Sequence, residues 1–547
     1  MKIGVLQLNA TIGDYAANRN QLAAAYGRAC ASGAELVVAP ELFLCGYPPR
    51  DLLLRPDFIA ACLTALADVA KQIGAVPLCV GYVDRNAARP GRPLANSAAV
   101  LQDGKIVWRQ DKSLLPTYDV FDEDRYFEPA KSTRPFEFKG RKLALTICED
   151  IWNDEDFWPE RLYRRDPVKE LIAQGADLIL NLSASPWHAG KEKTRLAMLQ
   201  RVARDEKVPL VQVNLVGAND ELIFDGNSVA LNRAGEPVAT GKPFAEDLFV
   251  VEMDGDVPSL KVQWPAPEEQ LFRALALGIR DYVHKCGFKS VVIGLSGGID
   301  SALTAVLAVE ALGPDKVLGV SMPARYSSSG SLTDAEQLAK NLGIRYEVLP
   351  IEAVFKAVEG QLANLFAGTR PNEAEENIQS RLRGVTLMAL SNKFGSLVLT
   401  TGNKSEMAVG YCTLYGDMCG ALAVIADVFK TDIYKIARWV NRDKVVIPTD
   451  SISKPPSAEL RPNQKDQDSL PEYETLDAIL QLYVVENLGK EEIIRRGFNA
   501  VVVNDVINKV TFSEYKRRQA APGLKVSPRA FGMGRRIPIA QRFRPAR

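Results

Sequence analysis

Short apolar, partly β-branched runs alternate with longer mixed stretches through the first half of the chain. Residues 3–8 (IGVLQL), 35–39 (ELVVA), 143–147 (LALTI), 178–182 (LILNL) and 210–213 (LVQV) have the length and composition of strands. Residues 18–32 form an Ala-rich stretch that predicts a helix. Residues 98–101 and 105–108 flank Asp103-Gly104, the signature of a hairpin turn. Strands alternating with helices predict layered α/β architecture. The pattern breaks at residues 254–269 (DGDVPSLKVQWPAPEE), which hold three prolines. We therefore expect a first domain over 1–255, a linker over 256–269 and a second domain over 270–547. The second domain restarts the alternation. A helix is expected at 270–286, strands at 291–295, 317–322 and 397–400, and helices at 302–312 and 334–342. No repeat of fixed period is visible. The tail from Lys516 is basic and rich in Pro and Gly, and is expected to wrap a surface.

Composition narrows the chemistry. The chain has 547 residues, 67 basic and 67 acidic side chains, and 47% hydrophobic positions. This is the profile of a folded multi-domain protein. Balanced charge argues against a nucleic-acid or membrane partner. Only two histidines exist, His188 and His284. Catalysis needing several imidazoles is thereby excluded, and proton transfer falls to Glu, Asp or Lys, with Cys as a nucleophile. The eight cysteines show no CxxC spacing. The first residues, MKIGVLQLNATIGD, lack the pattern of a secretory signal, and no apolar run is long enough to span a bilayer. A reducing, cytoplasmic location is expected.

Three chemistry-bearing residues stand just past strand-like or hairpin segments: Glu41 in PELFLCGYP, Lys112 in DKSLLPTYDVFDEDRYF and Cys148 in TICEDIW. Ligands gather at the C-terminal ends of strands in open α/β sheets. Taken singly, these are a cap, a solvated lysine and a buried thiol. Together and in this order, they closely resemble the nitrilase superfamily, in its glutamine-hydrolysing branch, over residues 1–255. The resemblance implies an α-β-β-α sandwich and a Glu41–Lys112–Cys148 triad. Glu41 would take the thiol proton, Lys112 would supply positive charge, and Cys148 would attack the glutamine amide. It also implies that Tyr118, Glu123, Ser185 and Lys191 hold the glutamine.

The segment VVIGLSGGIDSALTAVL carries a strand, a glycine loop and an Ala-rich helix. Glycines let backbone N–H groups approach phosphate, and a helix N-terminus adds positive partial charge. Neither the GxxxxGKS/T phosphate loop nor GxGxxG is present. SGGIDS resembles the pyrophosphate loop of the N-type ATP pyrophosphatases. That implies a Rossmann-like domain with a parallel sheet, and ATP contacts from Ser296, Gly297, Gly298, Asp300 and Ser301. Downstream, ENIQSRLRG, LTTGNKSEMAVGYCTLYGD, DVFKTDIY and KPPSAELRPNQKDQD resemble the NAD synthetases. That resemblance implies ATP contacts from Thr401, Lys430 and Ser457. It also implies deamido-NAD contacts from Asn377, Arg381, Glu406 and Lys516, and magnesium held by Asp300 and Glu406. After YGD the chain reads MCGALAVIAD, so Ala421 stands where relatives carry an acidic group.

The two halves imply one reaction: deamido-NAD, ATP, glutamine and water give NAD, AMP, pyrophosphate and glutamate. Ammonia in neutral water is mostly ammonium, so an enclosed path from Cys148 to the ligase site is expected. A homo-oligomer built on synthetase-domain dimers is implied as well. The alternatives are another glutamine-fed ATP pyrophosphatase, or a nucleotide sensor that has lost catalysis.

Overall fold

The computed structural model describes residues 1–86, 90–153, 157–158, 160–255 and 257–543. The chain divides into two compact units, Met1–Trp264 and Pro265–Arg547. Residue 256, where the linker was expected to begin, lies outside the described residues.

The first unit contains two six-stranded mixed sheets. One runs, in spatial order, Asp247–Glu252, Lys2–Gln7, Leu36–Val38, Leu78–Arg85, Leu94–Gln102 and Lys105–Asp111. The other runs Pro237–Thr240, Val229–Leu231, Leu210–Asn214, Leu178–Ser183, Arg141–Ile147 and Phe136–Phe138. Strand alternation sends Ile3, Val5, Leu36 and Val38 of the first sheet into one core with Leu143, Leu145, Leu178 and Leu180 of the second. The intervening residues face outward onto helices. Leu6 and Val37 pack with Leu22, Ala25, Ile59 and Leu66 from Tyr15–Ala31 and Pro56–Ala70. Ala144 and Ile179 pack with Leu171, Met198 and Leu199 from Pro167–Ala173 and Lys191–Glu206. The result is the expected α-β-β-α sandwich. Its inner strands are buried on both faces, which is why their sequences read as continuous apolar runs.

In this unit the first helix and the hairpin extend furthest beyond the sequence expectation. The first helix starts at Tyr15 rather than 18, because the Asp14 carboxylate accepts the Ala17 N–H at 3.0 Å and caps it. The hairpin strands are also longer than expected. Asp103 and Gly104 both adopt positive φ, +49° and +76°, which suits a tight turn between right-twisted strands. Hairpin pairing then continues back to Ser97 opposite Asp111, and it brings Asn96 beside Lys112, whose N–H donates to the Asn96 carbonyl at 2.8 Å.

The second unit has a five-stranded, wholly parallel sheet in the order Arg345–Val348, Val317–Ser321, Val291–Gly294, Leu397–Thr400 and Leu422–Ala423. The first strand in sequence lies at the centre. Chain direction across the sheet therefore reverses between Val291–Gly294 and Leu397–Thr400, and a crevice opens at such a switch point. The helix after the central strand is Ile299–Leu312, and it begins directly at the glycine loop. The next helix, Ser329–Leu342, starts earlier than expected because Ser328 Oγ accepts the Ser331 N–H at 3.1 Å. Helices Lys404–Val409, Tyr473–Leu480 and Ala500–Phe512 build a further apolar cluster through Ala408, Leu476, Ile479, Val503 and Val506. The tail does more than wrap a surface. Leu524 and Val526 are buried, Gly523 bridges to Ala423, and Leu524 lies so close to Gly278 that a Cβ there would meet its Cδ1 at 2.6 Å.

Candidate active sites

In the first unit, Cys148 follows strand Arg141–Ile147 and opens a single helical turn, Cys148–Ile151. Its φ is +43°, a left-handed backbone that a residue with a Cβ rarely adopts and that recurs at functional turns. The thiol is 5% exposed, and Ser183 Oγ donates to its Sγ at 3.3 Å. Burial raises the thiol pKa well above the ordinary range, and Glu41 adds to this while Lys112 and the Ser183 hydroxyl oppose it. Burial thus favours the neutral thiol, which would need a base before it could attack.

Lys112 is fully buried between two carboxylates. Its Nζ donates to Glu41 Oε1 at 2.8 Å and to Glu123 Oε1 and Oε2 at 2.8 and 2.9 Å. Burial favours loss of the lysine proton, but Glu123 and Glu41 outweigh it and hold the pKa well above the usual value. Glu41 also accepts from Asn96 Nδ2 at 2.8 Å and from the Ala184 N–H at 2.9 Å. Burial pushes Glu123 up to about 7, against the pull of Lys112. The site therefore contains a base, a fixed cation and a thiol without any imidazole.

The residues expected to hold glutamine divide in two. Glu123 joins the triad itself, and its carboxylate is taken up by Lys112, Tyr47 and Asn96. Tyr118, 42% exposed, donates its hydroxyl to Glu149 Oε1 at 2.9 Å. Ser185 is buried, with its N–H on Asn214 Oδ1 at 3.0 Å. Lys191 Nζ donates to the Pro186 carbonyl at 2.7 Å and lies 5.4 Å over the Trp152 ring. Sequence reasoning missed Glu149. It is buried beside the nucleophile, receives hydroxyls from Tyr118 and Tyr163, and has its pKa raised by burial. An acceptor-only carboxylate there suits an ammonium group on a ligand.

In the second unit, the crevice is a cavity of about 310 Å³ lined by Ser296, Gly298, Asp300, Ser301, Thr401, Glu406, Lys430 and Ser457. The loop is internally braced: Ser296 Oγ and Ser301 Oγ lie 3.1 Å apart, and Ser301 Oγ donates to the Gly298 carbonyl at 3.1 Å. No side chain caps helix Ile299–Leu312, so its first N–H groups remain available to an anion. Lys430, 2% exposed, bridges Asp300 Oδ2 at 2.5 Å and Glu406 Oε1 at 3.2 Å. Burial works against the Lys430 ammonium, and the two carboxylates nonetheless raise its pKa. Burial lifts Glu406 to about 8 despite Lys430.

Three of the expected deamido-NAD residues grip one segment. Asn377 Oδ1 accepts from Thr413 Oγ1 at 2.6 Å, and Arg381 Nε donates to the Leu414 carbonyl at 3.2 Å. Lys516 Nζ donates to the Gly410 and Cys412 carbonyls, both at 2.8 Å. Thr413 lines the cavity, whereas these three residues are not among its lining, and Arg381 is exposed. At Ala421 the backbone alone is engaged, with its N–H on the Val398 carbonyl at 2.9 Å. Arg383 and Lys454 also line the cavity and were not singled out from sequence. Lysines and arginines recur too often for either to stand out without the fold.

Residues 2–261 match the carbon-nitrogen hydrolase family, and residues 271–520 match the NAD synthase family. A glutamine-dependent NAD(+) synthetase from Synechocystis sp. is 49% identical over 99% of both chains. One from Thermotoga maritima is 45% identical over 100% of this chain and 99% of its own. The solved glutamine-dependent NAD+ synthetase from Acinetobacter baumannii, in complex with ADP, superposes with a TM-score of 0.76 at 38% identity, covering 98% of each chain. With both family models matched and full-length similarity at this level, the chain belongs to the glutamine-dependent NAD(+) synthetase family.

Proposed function

We propose that the chain amidates deamido-NAD to NAD with ammonia cut from glutamine, converting ATP to AMP and pyrophosphate. The observation that carries this reading is the presence of two intact sites in one polypeptide, Glu41–Lys112–Cys148 and the SGGIDS cavity. Glu41 takes the thiol proton, and Sγ attacks the side-chain amide carbon of glutamine. Lys112 Nζ, fixed by two carboxylates, stabilises the oxyanion. Ammonia departs with the proton, and water cleaves the thioester with Glu41 as base. Tyr118, Ser185 and Lys191 hold the substrate, and Glu149 faces its α-ammonium. Glu123 serves this site by fixing Lys112.

In the second unit, the Ser296–Ser301 loop and the helix behind it receive the ATP phosphates, with Thr401, Lys430 and Ser457 completing the contacts. The nicotinate carboxylate attacks the α-phosphorus and releases pyrophosphate, and ammonia then displaces AMP from the acyl adenylate. Asn377, Arg381 and Lys516 hold the 410–414 segment against the dinucleotide. Magnesium fits the donor set. Asp300 and Glu406 present hard carboxylate oxygens converging on one lysine. Among the described residues no cluster of three or more His, Cys, Asp or Glu could hold an ion alone. A cation taking one or two carboxylates and completing its shell with phosphate and water matches that arrangement. When bound, it supplies neutralising charge to the departing pyrophosphate.

No helix of the described residues is long and apolar enough to cross a membrane. A cytoplasmic location and small-molecule substrates, without nucleic acid or lipid, complete the proposal. We also propose a homo-oligomer. The long helix Glu373–Phe394 leaves Val385 66% exposed and Phe394 60% exposed, apolar surface that a second copy would cover. Pyrophosphate release measured with glutamine and ATP, with and without deamido-NAD, tests the substrate. Sedimentation tests the assembly, and a mass equal to one chain at micromolar concentration refutes it.

A further inference from the structure

A buried carboxylate that no step above uses stands two residues after the nucleophile. Asp150 is 2% exposed. Its Oδ2 accepts the Ile147 N–H at 3.0 Å, closing the turn that Cys148 opens. Its Oδ1 accepts the N–H groups of Ser113 and Leu114, both at 2.9 Å. Those two residues directly follow Lys112. One side chain therefore grips the backbone immediately before the nucleophile and immediately after the catalytic cation.

This grip does something that the contacts to the lysine ammonium cannot. Glu41 and Glu123 fix Nζ at the end of a flexible stem. They do not fix the main chain from which the stem grows. The Lys112 carbonyl accepts the Ala130 N–H, and its own N–H donates to the Asn96 carbonyl on the hairpin. Asp150 supplies the missing tie, from the nucleophile's side, and it does so at a turn whose Cys148 backbone sits at φ +43°. Three N–H donors on one carboxylate form charge-assisted bonds with defined directions. Burial raises the Asp150 pKa to about 6, with the three N–H groups opposing, so the group is the required anion in mildly alkaline buffer.

We propose that Asp150 is a positioning residue of the glutaminase site, a staple that sets Lys112 and Cys148 at one separation; this rests on the glutaminase reading above. An amide at this position has a single acceptor oxygen. Its NH₂ group must then confront either the Ile147 N–H or the Ser113–Leu114 pair. The consequence is a small relative shift of nucleophile and cation, with the glutamine pocket left in place.

The test uses the full-length chain bearing Asp150→Asn, assayed in mildly alkaline buffer. Glutaminase kcat is expected to fall about 100-fold, the effect of a misplacement near 1 Å, while KM for glutamine stays within about threefold. Alkylation of Cys148 by iodoacetamide should slow, and NAD formation from added ammonium should keep its wild-type rate. Asp150→Glu restores charge but not reach, so it should fail to rescue. If Asp150→Asn does not fold, Asp150→Ser keeps one acceptor oxygen whose O–H can rotate away from the backbone N–H groups, and it is read by the same two constants. A kcat within about threefold of wild type in the folded variant, rescue by Asp150→Glu, or a raised KM at unchanged kcat would overturn the staple. Cys148→Ala is run in parallel. Glutaminase activity persisting in it would sink the underlying reading instead of the staple.

Discussion

The two glycines of the SGGIDS loop look equivalent in sequence, but the structure assigns them different jobs. Gly297 has φ +77°, and a Cβ there would sit 2.2 Å from the Ser331 carbonyl oxygen and 2.8 Å from Ser331 Cα. Gly298 has φ −85°, and its added Cβ would meet only Ser296 Oγ, at 3.3 Å. For Gly297→Ala, the left-handed backbone costs about 1–2 kcal/mol. Pushing backbone away from backbone adds about 1–3 kcal/mol. The total, roughly 2–5 kcal/mol, lowers the second unit's melting temperature by roughly 5–15 °C. Moving the loop by about 1 Å should also reduce kcat/KM for ATP about 100-fold. Gly298→Ala needs only a hydroxyl rotation, so its stability loss stays below about 1 kcal/mol and its effect is confined to ATP. The assay is pyrophosphate release with deamido-NAD and ammonium, alongside calorimetry. Glutaminase activity serves as the internal control. If Gly297→Ala melts and binds ATP like the wild type, or if both variants lose equal stability, the reasoning fails.

Other outcomes follow from the same geometry. Cys148→Ala should abolish NAD formation from glutamine and leave synthesis from ammonium intact, since no step of the ligase uses the thiol; loss of both would contradict two separable chemistries. Lys516→Met frees the Gly410 and Cys412 carbonyls and should raise KM for deamido-NAD about tenfold, with KM for ATP unchanged. Steady-state kinetics showing neither change would remove Lys516 from that site. Glu406 binds its proton more tightly folded than unfolded, since burial lifts it from 4.5 to about 8. Its contribution is therefore complete below the unfolded value and is lost as pH rises through the folded one. The ligand-free protein should melt lower near about pH 9 than near about pH 6, and Glu406→Gln should flatten that slope. An unchanged slope in the variant would assign the effect elsewhere.

Much of this was legible without coordinates, for identifiable reasons. Glu41 and Cys148 stand just past strands whose apolar runs are unbroken, and Lys112 stands just past a hairpin marked by its Asp-Gly turn, so element boundaries and chemistry coincide. The glycine loop is legible because its function demands glycine. Asn96, Glu149 and Asp150 were not. Asn96 lies on a hairpin strand whose start, LANS, is too polar to read as paired. Its role appears only once the turn at Asp103–Gly104 fixes the register. Glu149 and Asp150 adjoin the nucleophile in sequence, yet which way each carboxylate turns depends on the left-handed Cys148 backbone. Helix starts were read late at Tyr15 and Ser329 because capping by Asp14 and Ser328 outweighs the onset of apolar periodicity. Asn377 and Arg381 share the helix Glu373–Phe394 while Lys516 comes from the tail, and only folding shows that all three seize residues 410–414.

The central claim is that one chain moves nitrogen from glutamine to deamido-NAD at the expense of ATP. Its most direct test is glutamine labelled with heavy nitrogen at the side-chain amide, incubated with the protein, ATP, magnesium and deamido-NAD, and followed by mass spectrometry. The account predicts NAD carrying the label in its carboxamide, with AMP, pyrophosphate and glutamate formed alongside. Unlabelled NAD, or ATP converted to ADP and phosphate without dependence on deamido-NAD, would contradict it.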